Sequence, residues 1–312
     1  MSKLVAVTGA TGFVGPHLVR ALARRGWTVR VLVRRWSPLP DLAGVQAELV
    51  LGDLADEKAL GDLVDGAGAV VHAAGLIKAR TAEDFMAVNR DGTALLSRLA
   101  PAQTFLLLSS LAAREPGLSA YAASKRAAEE ALKTRSGPWL AVRAPAVYGP
   151  GDRETLAYFK TVDHGWAPRP MVAGARLSLI HVADLAEALA NSLEAGLPPS
   201  VYEVDDGQPG GHDYDDMARA AGLALKGGAP RTLAVPRPVL AAVGAWNGLR
   251  QSLGGAPQIL TAGKVAEMFH PDWTIHDRRL AEATGFTARY DLQRGFADTV
   301  LWYRQRHWLR NR

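Results

Sequence analysis

Short apolar runs and helical stripes alternate along the first two thirds of the chain. Leu4–Val7 is apolar at every position and rich in Val, the pattern of a strand buried on both faces of a parallel sheet. Val14, Leu18, Ala21 and Leu22 follow at three-to-four spacing and predict a helix. Strand patterns return at Trp27–Val33, Ala47–Leu51, Ala69–His72, Thr104–Leu108, Trp139–Arg143 and Val201–Val204. Helical patterns lie between them, over 83–99 and from Ser119 through AYAASKRAAEEALK, and again near 179–190. Such alternation predicts an α/β fold, a doubly wound parallel sheet with helices on both faces.

After Tyr148 the pattern changes. Residues 150–178 are rich in Pro, Gly and Arg, and from 206 onward helical patterns are broken by PR, GG and HPDW. The expected division is a core of 1–149 plus 179–205, and a smaller, mostly helical lobe of 150–178 plus 206–312. Arg231–Leu249 is apolar and bent by prolines, which predicts a lobe helix packed on the core, with a wall of an apolar substrate pocket or a membrane-surface contact as the alternatives. The closing LQRGFADTVLWYRQRHWL predicts a docked terminal helix.

The first strand runs into Thr8-Gly9, and Gly9, Gly12 and Gly15 stand three apart before the first helix. Strand, glycine turn and helix together form the context of a dinucleotide fingerprint. Gly9 permits the tight turn, Gly12 lets a pyrophosphate approach the backbone, and Gly15 lets the helix pack close to the strand. Thr11, Phe13 and Val14 complete the turn. The second strand ends at Arg34-Arg35, with no acid near. A guanidinium there can clamp a 2′-phosphate that a carboxylate would repel, so Arg34 points to NADP over NAD. Asp53 and Leu54 follow the third strand, where an adenine ring would lie; Asp53 could accept from its amino group or cap the next helix. Ala73, Ala74 and Gly75, small residues after the fourth strand, leave room for the cofactor's ribose and pyrophosphate. His72 is expected to pack in that strand.

Tyr121 and Lys125 stand four apart on one helical face. The lysine charge, with a positive nicotinamide, is expected to lower the phenol's pKa so that Tyr121 passes a proton near neutral pH. A serine at the end of the fifth strand, Ser110 or its neighbour Ser109, can hold a substrate oxygen.

The 312 residues suit one large α/β unit, and 48% hydrophobic residues suffice for a substantial core. The absence of cysteine excludes disulfides, thiol catalysis and cysteine-ligated metals, and fits a cytoplasmic protein. Strand one begins by Lys3 or Leu4, which leaves no room for a signal peptide. No apolar stretch is long and unbroken enough for stable membrane insertion. The net charge of +5 fits an anionic cofactor, and nothing in its distribution points to nucleic acid. His181, His270 and His276 are scattered, and no metal-ligand cluster is visible.

TGATGFVG, GDL, HAAG, VNRDGT, SS, YAASK and RAPAVYGPGD, in this order and spacing, resemble the extended short-chain dehydrogenase/reductase superfamily, the NAD-dependent epimerase/dehydratase group. The resemblance covers at least residues 3–205. It implies a Rossmann-type core, an NADP or NAD cofactor and a small-molecule substrate bound by the lobe. By that likeness Tyr121 is the catalytic acid/base, Lys125 bonds the nicotinamide ribose, Ser110 matches the catalytic serine, and Asn89 matches the asparagine of the proton-relay and cofactor region. Pro145 and Val147 fall where the family lines the nicotinamide face. Only residues 111–120 separate Ser110 from Tyr121, where sugar-nucleotide epimerases carry a longer insertion. The expected reaction is therefore interconversion of a secondary alcohol and a ketone on a small, fairly apolar molecule. A nucleotide-sugar epimerase or dehydratase with tightly bound NAD is the first alternative, with Arg231 and Arg237 as candidate diphosphate contacts. A non-catalytic cofactor-sensing or structural member is the second. The resemblance also implies a homodimer through helices near 85–100 and 119–134. Asp184 is expected to anchor a helix start.

Overall fold

The computed structural model describes residues 3–34, 42 and 44–310. The core runs β1 (Leu4–Thr8), α1 (Gly15–Arg24), β2 (Thr28–Val33), β3 (Ala47–Leu51), α2 (Glu57–Val64), β4 (Ala69–His72), α3 (Ala82–Phe85), a π-helical stretch (Met86–Asp91) and α4 (Gly92–Leu99). It continues through β5 (Thr104–Ser110), a 3-10 turn (Leu111–Arg114), α5 (Ala120–Leu132), β6 (Trp139–Ala144) and β7 (Ala146–Tyr148). Then come α6 (Leu156–Asp163), β8 (Trp166–Pro170), β9 (Arg176–Leu177), β10 (Leu179–His181), α7 (Val182–Glu194) and β11 (Ser200–Glu203). The remainder holds α8 (Tyr214–Lys226), β12 (Arg231–Val235), α9 (Arg237–Ser252), α10 (Ala262–Met268), β13 (Asp272–Trp273), α11 (Arg279–Thr284) and α12 (Leu292–Gln305).

Seven strands form one sheet in the order β11-β6-β5-β4-β1-β2-β3, and every pairing in it is parallel. The strand pleat explains why the runs carry no polar alternation. Val5, Val7, Leu106, Leu140 and Val142 face the cluster under α1 and α7. Ala6, Phe105, Leu107, Trp139 and Ala141 face the opposite cluster, under α2, α4 and α5. Helices cover both faces, so both sets of side chains must be apolar. This is the doubly wound Rossmann-type architecture expected.

A third apolar cluster joins α6, α8 and α12. Phe159 of α6, Ala221 and Leu225 of α8, and Phe296, Val300 and Tyr303 of α12 pack together with Tyr148. Gly295 permits that contact, because a Cβ there would lie 2.2 Å from the Tyr148 hydroxyl. The terminal helix is docked, as its apolar stripe predicts.

Two expected elements differ. The helix expected over 83–99 is interrupted by the π-helical turn that carries Asn89. Arg231–Leu249 does not form one bent helix on the core. Arg231–Val235 pairs in parallel with β8, and Pro236 then opens α9. Proline at the helix start leaves no donor to lose, so the residues before it are free to extend.

Candidate active site

The sequence around Gly9 builds a backbone cradle. Gly9 has φ +79°, and a Cβ on it would lie 2.6 Å from the Ala74 nitrogen. A Cβ on Gly15 would lie 2.2 Å from the Gly9 oxygen. Turn, helix start and the end of β4 are thus pressed together. Gly12 differs: within 4 Å its Cβ would meet only the Gly9 oxygen, at 3.3 Å, so its outer side is open. α1 starts with Val14 at its N-cap, with no side-chain cap and no acid in its first turn. Amide donors and the positive end of the helix dipole therefore face outward, an arrangement that fits a pyrophosphate. Thr11 is exposed beside it, and Phe13 lies edge-on to His17.

Thr8 Oγ1 accepts from the Ala74 nitrogen at 3.2 Å and bonds His72 Nδ1 at 2.6 Å. Burial, reinforced by the Lys125 charge, pushes His72 down to about 3, so it is neutral and packs in the strand as expected. Arg34 directly follows β2 and is exposed; Arg35 lies outside the described residues. Asp53 does not cap α2. Its Oδ1 accepts from the Ala55 nitrogen at 2.9 Å, while Asp56 caps the helix by accepting from the Ala59 nitrogen at 2.9 Å. Leu54 packs against Gly92, where a Cβ would stand 3.1 Å from the Leu54 Cβ. Pro145 and Val147 are half-buried, beside the β6–β7 junction.

Beside the cradle, β5 and α5 bring Ser110, Tyr121 and Lys125 together. Ser119 caps α5 by accepting from the Ala122 nitrogen at 2.9 Å, which fixes the turn that carries Tyr121. The Ser110 side chain stands at the Tyr121 phenol and acts to lower its proton affinity. Ser109 points the other way and donates to Glu129 at 2.5 Å in a buried network with Arg143. The pleat of β5 therefore separates the two serines, and Ser110 is the one at Tyr121. The Lys125 ammonium donates to the Leu108 carbonyl at 2.7 Å and lies 3.8 Å from where a Gly75 Cβ would stand. Asn89 fastens this corner: it accepts from the Leu76 nitrogen at 2.8 Å and donates to Ser124 Oγ at 2.9 Å, and Ser124 donates to the Tyr121 carbonyl at 2.7 Å. A π-turn re-aims one carbonyl register, and such turns gather at functional sites.

The Tyr121 phenol differs from expectation. Burial pushes it up to about 12, opposed by the Ser110 side chain and reinforced by the charge of Glu267. Lys125 is itself pushed down to about 8 by burial, with Glu129 opposing. In the chain itself desolvation outweighs the expected attraction of the lysine, so the phenol holds its proton at neutral pH.

Glu267 was not foreseen. It lies in α10, accepts a hydrogen bond from Ser119 and pairs with Lys264 at 2.9 Å. The only sequence signal for it was an acid in an otherwise basic lobe segment. Asp184 is no local cap; it accepts from the Arg289 and Tyr290 nitrogens at 3.0 and 2.9 Å and anchors the entry to α12. His181 caps α7, and His270 and His276 hold the turn around Asp272.

A glycine cradle on a doubly wound sheet, beside a Ser-Tyr-Lys cluster, defines a nicotinamide-nucleotide enzyme. The chain belongs to the NAD dependent epimerase/dehydratase family, whose pattern matches residues 5–205, and so to the extended short-chain dehydrogenase/reductases. Ceramide reductase of Caulobacter vibrioides is 42% identical over 308 residues, covering 98% of this chain and 96% of that protein. The crystal structure of gox2253 superposes with a TM-score of 0.79 at 23% identity, covering 99% of this chain and 100% of that one. The dTDP-glucose 4,6-dehydratase DesIV of Streptomyces venezuelae, solved with NAD bound, gives 0.75 at 20% identity, covering 98% and 99%.

Proposed function

We propose that this chain is an NADPH-preferring reductase that converts a ketone on an apolar, lipid-like substrate to a secondary alcohol. The observation that carries the reading is the placement of three side chains at one corner: Ser110 at the end of β5, Tyr121 beside it in the first turn of α5, and Lys125 one helical turn further along. Ser110 donates a hydrogen bond to the ketone oxygen. Tyr121 then gives that oxygen its proton, a role suited to a phenol kept protonated by burial. Lys125 holds the ribose side of the site, with Gly75 and Asn89 shaping the same corner. A bound nicotinamide supplies the hydride. The name of the Caulobacter relative makes a keto-bearing, ceramide-type lipid the substrate class to try first.

The test is NADPH oxidation by purified protein with such lipids in detergent micelles, run beside dTDP- and UDP-sugars. Turnover of the keto-lipid is the expected result. Tightly copurified NAD with turnover of a nucleotide sugar overturns the reading.

NADPH is expected to bind about tenfold or more tighter than NADH, because a charge-assisted bond from Arg34 contributes about 1.5–3 kcal/mol. Arg34→Ala should erase the difference in a fluorescence titration. A wild-type preference for NADH would remove Arg34 from the cofactor site.

The pH profile has a defined sign. Lys125, pushed down to about 8, loses its charge above that pH, so kcat for reduction should hold level below about 8 and decline above it. A rate that stays level up to about pH 10, where an ordinary lysine titrates, would show that the Lys125 charge is not needed.

A further inference from the structure

α9 is built inside out. Beyond Leu240, the face that packs against the protein is small or polar: Gly244, Asn247 and Gln251. A Cβ on Gly244 would lie 3.1 Å from the Thr261 backbone, so the helix sits directly on the start of α10. Asn247 donates to the Leu260 carbonyl at 2.9 Å, and Gln251 donates to the carbonyls of Ala79 and Arg80 at 2.8 and 2.7 Å. The outward face is apolar: Val239 is 52% exposed, Val243 43%, Trp246 61% and Leu253 79%. These four recur at helical spacing and form a stripe with Arg250 in it. The strand before α9 adds Leu233, and its partner β8 adds Trp166, both exposed.

The segment that carries this stripe has charge of one sign, while Asp215 pairs with Arg169 at the β8 edge and Glu83 and Asp84 follow the loop that Gln251 holds. No Asp or Glu stands between Asp216 and Glu267. Lys226, Arg231, Arg237 and Arg250 are exposed in that interval, and Arg231 lies over the Trp166 ring. An apolar stripe with a Trp, on a segment whose own charges are all cations and which is held to the protein by its polar side, has the make-up of a helix that lies in an anionic lipid interface. No helix among the described residues is long and apolar enough to cross a membrane, so the contact is with the surface.

We propose that α9 and the β8–β12 ribbon dock this protein onto the surface of an anionic phospholipid bilayer. The surface is coupled to the site. Gln251 bridges to the loop after β4, and α10, on which α9 sits, holds Ser119 through Glu267. The proposal stands without the substrate reading, since the stripe and its charge owe nothing to turnover.

The test is flotation of the full chain with vesicles of equal parts phosphatidylcholine and phosphatidylglycerol, against vesicles of phosphatidylcholine alone. The expected result is binding to the mixed vesicles, release by salt, and binding about tenfold weaker or worse in Trp246→Glu/Leu253→Glu. That variant should keep its thermal transition and its NADPH affinity, because both side chains point to solvent. Absence of wild-type binding, or equal binding by the folded variant, overturns the proposal. So does a wild-type dimer in light scattering that the variant converts to monomer, which would make the stripe a contact between two copies. Vesicle binding without ketone turnover would leave this surface in place and remove only the reductase reading.

Discussion

Replacing Tyr121 with Phe is expected to lower keto-lipid turnover by about a thousandfold, the usual worth of a positioned acid, while NADPH affinity stays nearly unchanged. The change removes one hydroxyl and keeps the ring. That ring meets Phe85 edge-on at 6.0 Å, so the start of α5 remains packed. Ser110 loses that neighbour but still accepts from the Ala112 nitrogen at 3.2 Å, so β5 keeps its end. The loss should fall on kcat and on kcat/KM alike, because the proton is transferred in the transition state and not in substrate binding. Steady-state rates together with an NADPH titration settle the matter. Undiminished turnover would sink the mechanism, and a parallel loss of NADPH binding would make Tyr121 a structural residue.

Gly9→Ala is the second large effect. A left-handed backbone costs a residue with a Cβ about 1–2 kcal/mol, and overpacking a tight site costs about 1–3 kcal/mol. The new methyl would stand 2.6 Å from the Ala74 nitrogen and 2.7 Å from the Ala73 carbonyl carbon, both backbone atoms that no rotamer change can move. Stability should fall by about 3 kcal/mol from these two terms, and the cradle should open enough to abolish NADPH binding. Chemical denaturation and a nucleotide titration of the same preparation read both. A variant of wild-type stability that still binds NADPH would show that the turn does not need glycine.

The core could be read from the sequence because its rules are local. A parallel strand covered on both faces must be apolar at every position, and the Leu4–Val7 and Phe105–Leu108 runs show that without a partner in view. Gly9, Gly12 and Gly15 were legible for the same reason: each answers a need of the backbone within a few residues. The choice between Ser109 and Ser110 was not legible, since it depends on which side of the pleat meets α5. The phenol's proton affinity in the chain alone was not legible, because burial and, to a lesser degree, Glu267, far away in sequence, raise it. The outward turn of α9 was legible only as an alternative, because an apolar helix ordinarily turns its apolar side inward and only the fold shows that Gly244, Asn247 and Gln251 take that place.

Glu267 binds the lobe to the turn that presents Tyr121, and this limits how such an enzyme can change its diet. The same segment supplies the partner of Ser119 and a negative charge that adds to the burial raising the phenol's proton affinity. Exchanging the lobe for one without an acid at 267 would therefore alter the chemistry along with the specificity. Grafts of the segment after β11 that carry Glu267 and Lys264 with them are the ones expected to keep their rate.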